Sequence, residues 1–204
     1  MTSVFPSLAV EHVVHDHGQL DPEWLRQRAA AGLDTSDEVW NGVVHVVPAP
    51  SGGHQRLGTT LAHHVYDRCG ELGLLVSVET NVVDAERGLK DLRVPDLAVY
   101  RPEHAVHLGV RGRSELVVEI RSPGDETYEK FEFYARQQVQ EVLVIEPDTR
   151  AFELYRLDGN GYDRVVEDAE GTCRVAALDL TLAAVETDDG PRLRITIDGE
   201  EAFA

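Results

Sequence analysis

One short apolar run, Leu116-Val117-Val118-Glu119-Ile120, constrains the fold of this chain more than any other stretch. A continuous run of this kind is typical of a β-strand that is buried on both faces of a sheet. Glu119 interrupts the run, and a buried carboxylate is costly unless it has a cationic partner, a proton or a metal ion. Asp96, directly after Pro95, poses the same problem at the head of Leu97-Ala98-Val99-Tyr100. Two acids at neighbouring strand ends could share one divalent cation. For either acid alone, the simpler interpretation is a position on an edge strand, where the carboxylate is exposed to water or paired with an arginine.

Lys130 is a third candidate for the same site. The segment from Glu126 to Ala135 has the composition of a helix, and it follows Glu119 after a turn. Only two of the 19 basic residues are lysines, Lys90 and Lys130. A compact ammonium group can orient a water molecule as a point charge, which the planar guanidinium group of arginine does less well. Lys130 is therefore a candidate catalytic residue beside the two acids.

Several short motifs follow one another in a series whose order and spacing matter more than any one motif. They are Pro95-Asp96, Val118-Glu119-Ile120 with Ser122-Pro123, Lys130, Tyr134-Ala135 and the run from Val142 to Asp148. In this series the chain resembles the Uma-type restriction endonuclease family of the PD-(D/E)XK nuclease superfamily, over roughly residues 36 to 157. In that branch the lysine has moved from the strand to the following helix, which is where Lys130 stands.

The resemblance implies a metal-dependent DNA endonuclease, an enzyme that hydrolyses phosphodiester bonds. Asp96 and Glu119 would be the metal ligands, joined by the backbone carbonyl of Ile120, and Lys130 would hold the nucleophilic water. Carboxylate and carbonyl oxygens favour Mg²⁺ or Mn²⁺ over zinc. DNA is the expected partner, a membrane is not, and a homodimer is left open.

Three further residues are accessory candidates. Glu38 and His54 match the early part of the family pattern. Glu38 would be an additional ligand or an acid behind the ligands, and His54, at the start of a predicted helix, would face the site. Arg121 stands two residues after Glu119, where the strand lysine of the superfamily would be, so it competes with Lys130 for one role.

Gln138 and Glu126 depart from the family pattern. Gln138 stands where the family usually has a glycine, so the predicted helix over residues 126–138 lacks the glycine that ends many helices in the left-handed conformation. Glu126 replaces an aspartate four residues before Lys130. Neither departure removes an expected metal ligand.

The net charge of −18 argues against nucleic-acid binding, because lysine and arginine contacts to phosphates supply much of that affinity. The charge is unevenly distributed, since residues 86–121 hold seven basic and six acidic residues. If a metal neutralises Asp96 and Glu119, this segment is expected to form a positive patch on an acidic body. A mixed charged surface that serves only solubility is the alternative.

The first half of the chain predicts four elements. Asp21-Pro22-Glu23 predicts the start of a helix that packs on the core, since Asp caps helices and Pro suits their first position. Asn41-Gly42 between apolar runs predicts a β-hairpin. A helix is expected over residues 54–72 and a single half-buried strand over residues 75–83.

The second half predicts one crossover unit and a hairpin. The apolar runs at residues 116–120 and 142–145, with the helix between them, favour two parallel strands. Residues 152–157 and 162–166 flank Asp158-Gly159-Asn160-Gly161 and predict a hairpin, while residues 172–204 indicate two short elements. The expected fold is α/β, with a restriction-endonuclease-like core in which a central mixed β-sheet is flanked by helices. Residues 1–35 would be an N-terminal segment with one helix, and residues 36–204 a single nuclease domain.

The sequence predicts a cytoplasmic protein. The start of the chain lacks the features of a signal peptide, and no window approaches the 18 apolar residues of a membrane span. Cys69 and Cys173, far apart, suit reduced thiols. The histidines of His12-Val13-Val14-His15-Asp16-His17 are interpreted as a solvated terminus rather than a metal site.

A catalytically inactive module with the nuclease fold, which binds protein or nucleic acid, is the competing functional hypothesis. Arg121 and the acidic composition favour it, whereas the set of Asp96, Glu119 and Lys130 favours the enzyme. Loss of magnesium-dependent cleavage on Glu119→Ala would separate the two.

Overall fold

The structure, a computed structural model, describes residues 14–16, 21–47, 49–122 and 124–204. His12 and His17 of the histidine-rich start, and Pro123 of the predicted turn, lie outside the described residues. The strands and helices are, in chain order, β1 (Val14–Asp16), α1 (Pro22–Ala30), β2 (Glu38–Trp40), β3 (Val43–Val46), α2 (Gly52–Glu71), β4 (Leu75–Val78), β5 (Asn81–Asp84), β6 (Gly88–Arg93), β7 (Leu97–Tyr100), β8 (Ala105–Val106), β9 (Gly109–Arg111), β10 (Leu116–Ile120), α3 (Phe131–Arg136), β11 (Glu141–Ile145), β12 (Phe152–Asp158), β13 (Gly161–Arg164), β14 (Thr172–Val175), β15 (Leu180–Thr187), β16 (Gly190–Ile197) and β17 (Glu200–Phe203).

A six-stranded mixed sheet, here called the central sheet, has the strand order β13-β12-β11-β10-β7-β4. Its strand β10 is the apolar run with Glu119, and all five of its residues are buried. β10 pairs in parallel with β11 and antiparallel with β7. The predicted crossover of two parallel strands is therefore confirmed, as is the mixed α/β fold class.

The central sheet has an apolar core on each face. One core combines the central sheet with α2 and the four-stranded sheet β14-β15-β16-β17, here called the C-terminal sheet. The other combines it with α3 and with a seven-stranded sheet of order β1-β3-β2-β6-β5-β9-β8. Burial on both faces explains why β10 and β11 are continuous apolar runs instead of alternating ones.

The predicted hairpin at Asn41-Gly42 is confirmed, since β2 and β3 pair antiparallel around it. Asn41 and Gly42 both have positive φ, 51° and 88°, as a two-residue hairpin turn of the favoured type requires. The hairpin of β12 and β13 is confirmed as well.

The prediction of a single strand over residues 75–83 is wrong. Glu79 has a φ of 46°, which breaks the extended run into β4, in the central sheet, and β5, in the seven-stranded sheet. The backbone N–H of Glu79 donates to the carbonyl oxygen of Asp96 at 3.1 Å, so the break lies beside the entry of β7. After β5 the chain turns into strand β6, which pairs with β5 and β2.

The C-terminal residues form four strands, where the sequence indicated only two short elements. Leu182, Leu193 and Ile195 of the C-terminal sheet are buried against Leu57 and Leu61 of α2 in one core cluster. Burying one such side chain stabilises a fold by about 1.5–3 kcal/mol. This sheet is thus a major part of the core.

Helix α1 starts as predicted, with the Asp21 side chain accepting from the N–H of Glu23 at 2.9 Å. None of its residues is buried, and Trp24 and Leu25 are only half-buried, so its contribution to the core is smaller than expected. Upstream of it, β1 pairs with β3. Among the described residues, no helix combines the length and apolar character needed to cross a membrane.

Candidate active site

Asp96 and Glu119 lie opposite each other at one end of the central sheet. In the antiparallel pair of β7 and β10, Leu97 lies opposite Val118, so the next step of the register sets Asp96 against Glu119. The Asp96 carboxylate accepts the backbone N–H of Ile120 at 2.6 Å, which ties the two strand ends together. Glu119 is buried and Asp96 half-buried, and both line one cleft of about 1220 Å³.

The carboxylate of Glu119 is held by Lys130 and Tyr134. The Lys130 ammonium donates to its two oxygens at 3.2 and 3.1 Å, and the Tyr134 hydroxyl donates to Oε1 at 2.5 Å. Lys130 lies in a 3₁₀ turn directly before α3, and Tyr134 lies in that helix. A spacing of four residues puts both side chains on one helical face, a signal in the sequence that could have predicted the role of Tyr134.

Glu38 reaches the same lysine from the seven-stranded sheet. Its Oε1 lies 2.9 Å from the Lys130 ammonium, and it also accepts the N–H of Val94 at 2.9 Å. Its Oε2 accepts the indole N–H of Trp40 at 2.7 Å. Glu38 is only 2% exposed. Its oxygens accept three protein donors, and one of these contacts holds Lys130 from the seven-stranded sheet.

His54 contacts Asp96. It lies in the first turn of α2, whose cap Ser51 accepts the backbone N–H of His54 at 3.2 Å. The imidazole Nε2 of His54 lies 2.5 Å from Asp96 Oδ1, and Nδ1 lies 3.4 Å from the hydroxyl of Ser122. Burial acts to lower the pKa of His54, but the hydrogen bond and charge of Asp96 outweigh it, so the pKa is raised.

Arg121 lines the same cleft but pairs with acids other than Asp96 and Glu119. Its guanidinium pairs with Glu146 at 3.1 Å and with Asp125 at 3.5 Å, and it lies 5.3 Å from the ring centre of Tyr128. Lys130, and not Arg121, therefore contacts Glu119.

Burial and charge set the protonation of the site. Burial, together with the charges of Asp96 and Glu38, raises the pKa of Glu119 to about 7, although Lys130 opposes that rise. Burial acts to lower the pKa of Lys130, but two carboxylates outweigh it, so the pKa is raised and the ammonium stays charged. Burial and Glu119 raise the pKa of Tyr134, which remains a hydrogen-bond donor. Two acids, Glu38 and Glu119, thus share a single lysine.

The acids fit a divalent cation by donor chemistry and charge. Two carboxylates, of Asp96 and Glu119, offer the hard oxygen ligands that Mg²⁺ prefers, and their charge exceeds what Lys130 neutralises. Within the part of the chain that the structure describes, however, no group of three or more His, Cys, Asp or Glu residues is arranged to hold a metal. A cation would therefore need additional ligands from backbone oxygen, water or substrate.

The positive patch expected of residues 86–121 depends on a metal that neutralises Asp96 and Glu119, and it stays a prediction. Most basic residues of this segment pair with acids of the same segment or nearby, because the sheet brings them together. These pairs are Arg87 and Arg93 with Asp91, Arg101 and Arg113 with Glu115, and Arg121 with Asp125 and Glu146.

Comparison with known proteins agrees with this architecture. The family model "Uma2: Putative restriction endonuclease" matches residues 24–184. The chain is also similar to the crystal structure of "a putative nuclease belonging to DUF820 from Anabaena variabilis ATCC 29413", with a TM-score of 0.53 and 17% sequence identity, over 66% of this chain and 78% of that chain. This likeness supports the expected restriction-endonuclease-like fold. No curated protein matches the chain. Because the family model covers most of the sequence, the chain belongs to the Uma2 family of putative restriction endonucleases.

Proposed function

We propose that this protein is a metal-dependent DNA endonuclease that hydrolyses phosphodiester bonds. The observation that carries the proposal is the opposition of Asp96 and Glu119 on neighbouring strands, with Lys130 bonded to Glu119 inside one cleft. Membership of a nuclease family supports the same reaction class.

In this proposal Asp96 and Glu119, with the carbonyl of Ile120, hold Mg²⁺ or Mn²⁺. When bound, the cation polarises a phosphate oxygen and lowers the pKa of a water molecule. His54 orients Asp96 through the contact of 2.5 Å, and Tyr134 orients Glu119 in the same way. Fixed ligand orientation raises metal affinity, because less freedom is lost on binding.

Lys130 is the proposed group that positions the attacking water. An ammonium has three protons, and its contacts to one oxygen of Glu38 and two of Glu119 use all of them, so in this proposal the attacking water replaces one contact to Glu119. Its raised pKa keeps it cationic at all physiological pH values, so it acts by orientation and charge and not as a general base. Glu38 keeps the lysine in place.

Nicking of supercoiled plasmid DNA tests the proposal. The wild type should cleave with Mg²⁺ or Mn²⁺ and not with EDTA, while Glu119→Gln and Asp96→Asn should lose cleavage and keep the folded far-ultraviolet circular dichroism spectrum. Glu132→Gln is the matched control, because the Glu132 side chain is 86% exposed on the same helix that holds Tyr134. A folded wild type that binds DNA yet never cleaves it with either metal would favour the non-catalytic module instead.

A further inference from the structure

Three arginines on the wall of the cleft have no ion pair with an acidic side chain of the described residues. In an acidic chain with 37 Asp and Glu residues against 19 Lys and Arg, most basic side chains have an acidic partner. Among the described residues, Arg56, Arg150 and Arg192 form no ion pair with a side-chain carboxylate, and all three line the cleft that contains Asp96 and Glu119. Unpaired guanidinium groups that gather in one cleft of such a chain indicate an anionic ligand.

The three arginines come from three separate elements. Arg56 lies in the first turns of α2, Arg150 in the turn between β11 and β12, and Arg192 in β16 of the C-terminal sheet. Arg150 and Arg192 are half-buried and Arg56 is exposed. Because the elements are distant in sequence, only the packing of the C-terminal sheet against α2 and the central sheet brings them to one cleft.

Arg150 and Arg192 are close enough to repel. Burial lowers the pKa of Arg150, and the charge of Arg192 lowers it further, while Asp148 opposes both. The Nε of Arg150 donates to the main-chain oxygen of Ala204, the last residue of the sequence, at 3.3 Å, which holds the side chain in place. Asp148 and Asp189 also line the cleft but form no ion pair with either arginine in the described structure. An anion between the two guanidinium groups would relieve the repulsion.

We propose that Arg56, Arg150 and Arg192 form a phosphate-binding subsite that holds the DNA backbone beside the catalytic acids. This inference rests on the proposed function, because it names the part of the substrate that the same cleft binds. Arg192 lies beyond residue 184, where the family match ends, so the C-terminal sheet contributes a contact that the family match does not cover. Arginine suits this role since its planar group donates two hydrogen bonds to one phosphate.

The salt dependence of DNA binding tests the subsite without cleavage. Fluorescence anisotropy with a duplex oligonucleotide, in Ca²⁺ or EDTA, gives the binding constant at several salt concentrations. Each lost phosphate contact should reduce the slope of log K against log salt by about 0.9. Arg150→Gln and Arg192→Gln should each show this reduction, and the double variant should show about twice the change.

Arg111→Gln is the matched control, because Arg111 is exposed, has no ion pair in the described structure and does not line the cleft. Its slope should equal that of the wild type. If Arg150→Gln and Arg192→Gln bind with the slope of the wild type while the wild type cleaves, the subsite is wrong and the nuclease proposal stands. If the slopes fall but the wild type never cleaves with Mg²⁺ or Mn²⁺, the subsite stands and the nuclease proposal fails. A folded wild type that does not bind duplex DNA overturns the subsite.

Discussion

Lys130 and Glu119 form a buried ion pair in which the ammonium contacts both carboxylate oxygens, at 3.2 and 3.1 Å. The same ammonium lies 2.9 Å from Glu38, so one cation serves two acids from two different sheets. Lys130 therefore has a structural role as well as the proposed catalytic one, and experiments must separate them.

Lys130→Gln should lower the free energy of unfolding by about 3 kcal/mol at pH 8, because removing one partner leaves buried carboxylates without a cation. Urea denaturation measures the change. Lys90→Gln is the control, since Lys90 is exposed and makes no ion pair in the described structure, and its effect should stay within about 0.5 kcal/mol. Similar small losses in both variants would mean that Lys130 does not stabilise the acids.

Glu119→Gln should abolish metal-dependent cleavage and leave the fold intact. In the absence of metal the melting temperature of the variant at pH 8 should exceed that of the wild type, because the neutral glutamine places no buried charge next to Asp96 and Glu38. Mg²⁺ should raise the melting temperature of the wild type through binding to the folded state, and that of the variant much less. Equal shifts in the two proteins would show that Glu119 is not a metal ligand.

The pH dependence of stability without metal should report the raised pKa of Glu119, about 7 against an ordinary value of 4.5. Between these two values the folded state keeps a proton on Glu119 that the unfolded state releases. The contribution of Glu119 to the free energy of unfolding is therefore fully present below pH 4.5 and is lost as the pH rises through about 7. Within that window the free energy of unfolding of the wild type, relative to Glu119→Gln, should fall by about 1.4 kcal/mol per pH unit. Urea denaturation of both proteins from pH 4.5 to 8 measures the difference, and a constant difference would contradict the assignment.

Gln138→Gly should raise the free energy of unfolding by about 0.5–1 kcal/mol. Gln138 follows α3 with a φ of 59°, and the N–H of Val139 donates to the carbonyl oxygen of Tyr134 at 3.0 Å, as in a helix end capped by glycine. The glutamine thus adopts the left-handed conformation itself, at a cost that glycine avoids. Gln138→Ala, which keeps the steric cost, should give no gain in a thermal melt.

Local patterns in the sequence were sufficient for several elements. The Asn41-Gly42 hairpin and the parallel pair of β10 and β11 were predicted because turn chemistry and apolar runs act within a few residues. The break at Glu79 was missed, since the alternating pattern of residues 75–83 continues through it and only the pairing of β4 and β5 with different sheets requires the bend.

By itself, the sequence determined the nuclease family, the fold class and three residues that meet in the cleft, Asp96, Glu119 and Lys130. Acids at strand ends and a lysine on the following helix are set by local periodicity and by one short crossover. Only the tertiary structure decided that Glu38 shares Lys130, that Arg121 pairs with Glu146 and that Arg192 reaches the cleft. These contacts join residues far apart in the chain. They depend on how whole sheets pack together, and a local sequence pattern does not predict that packing.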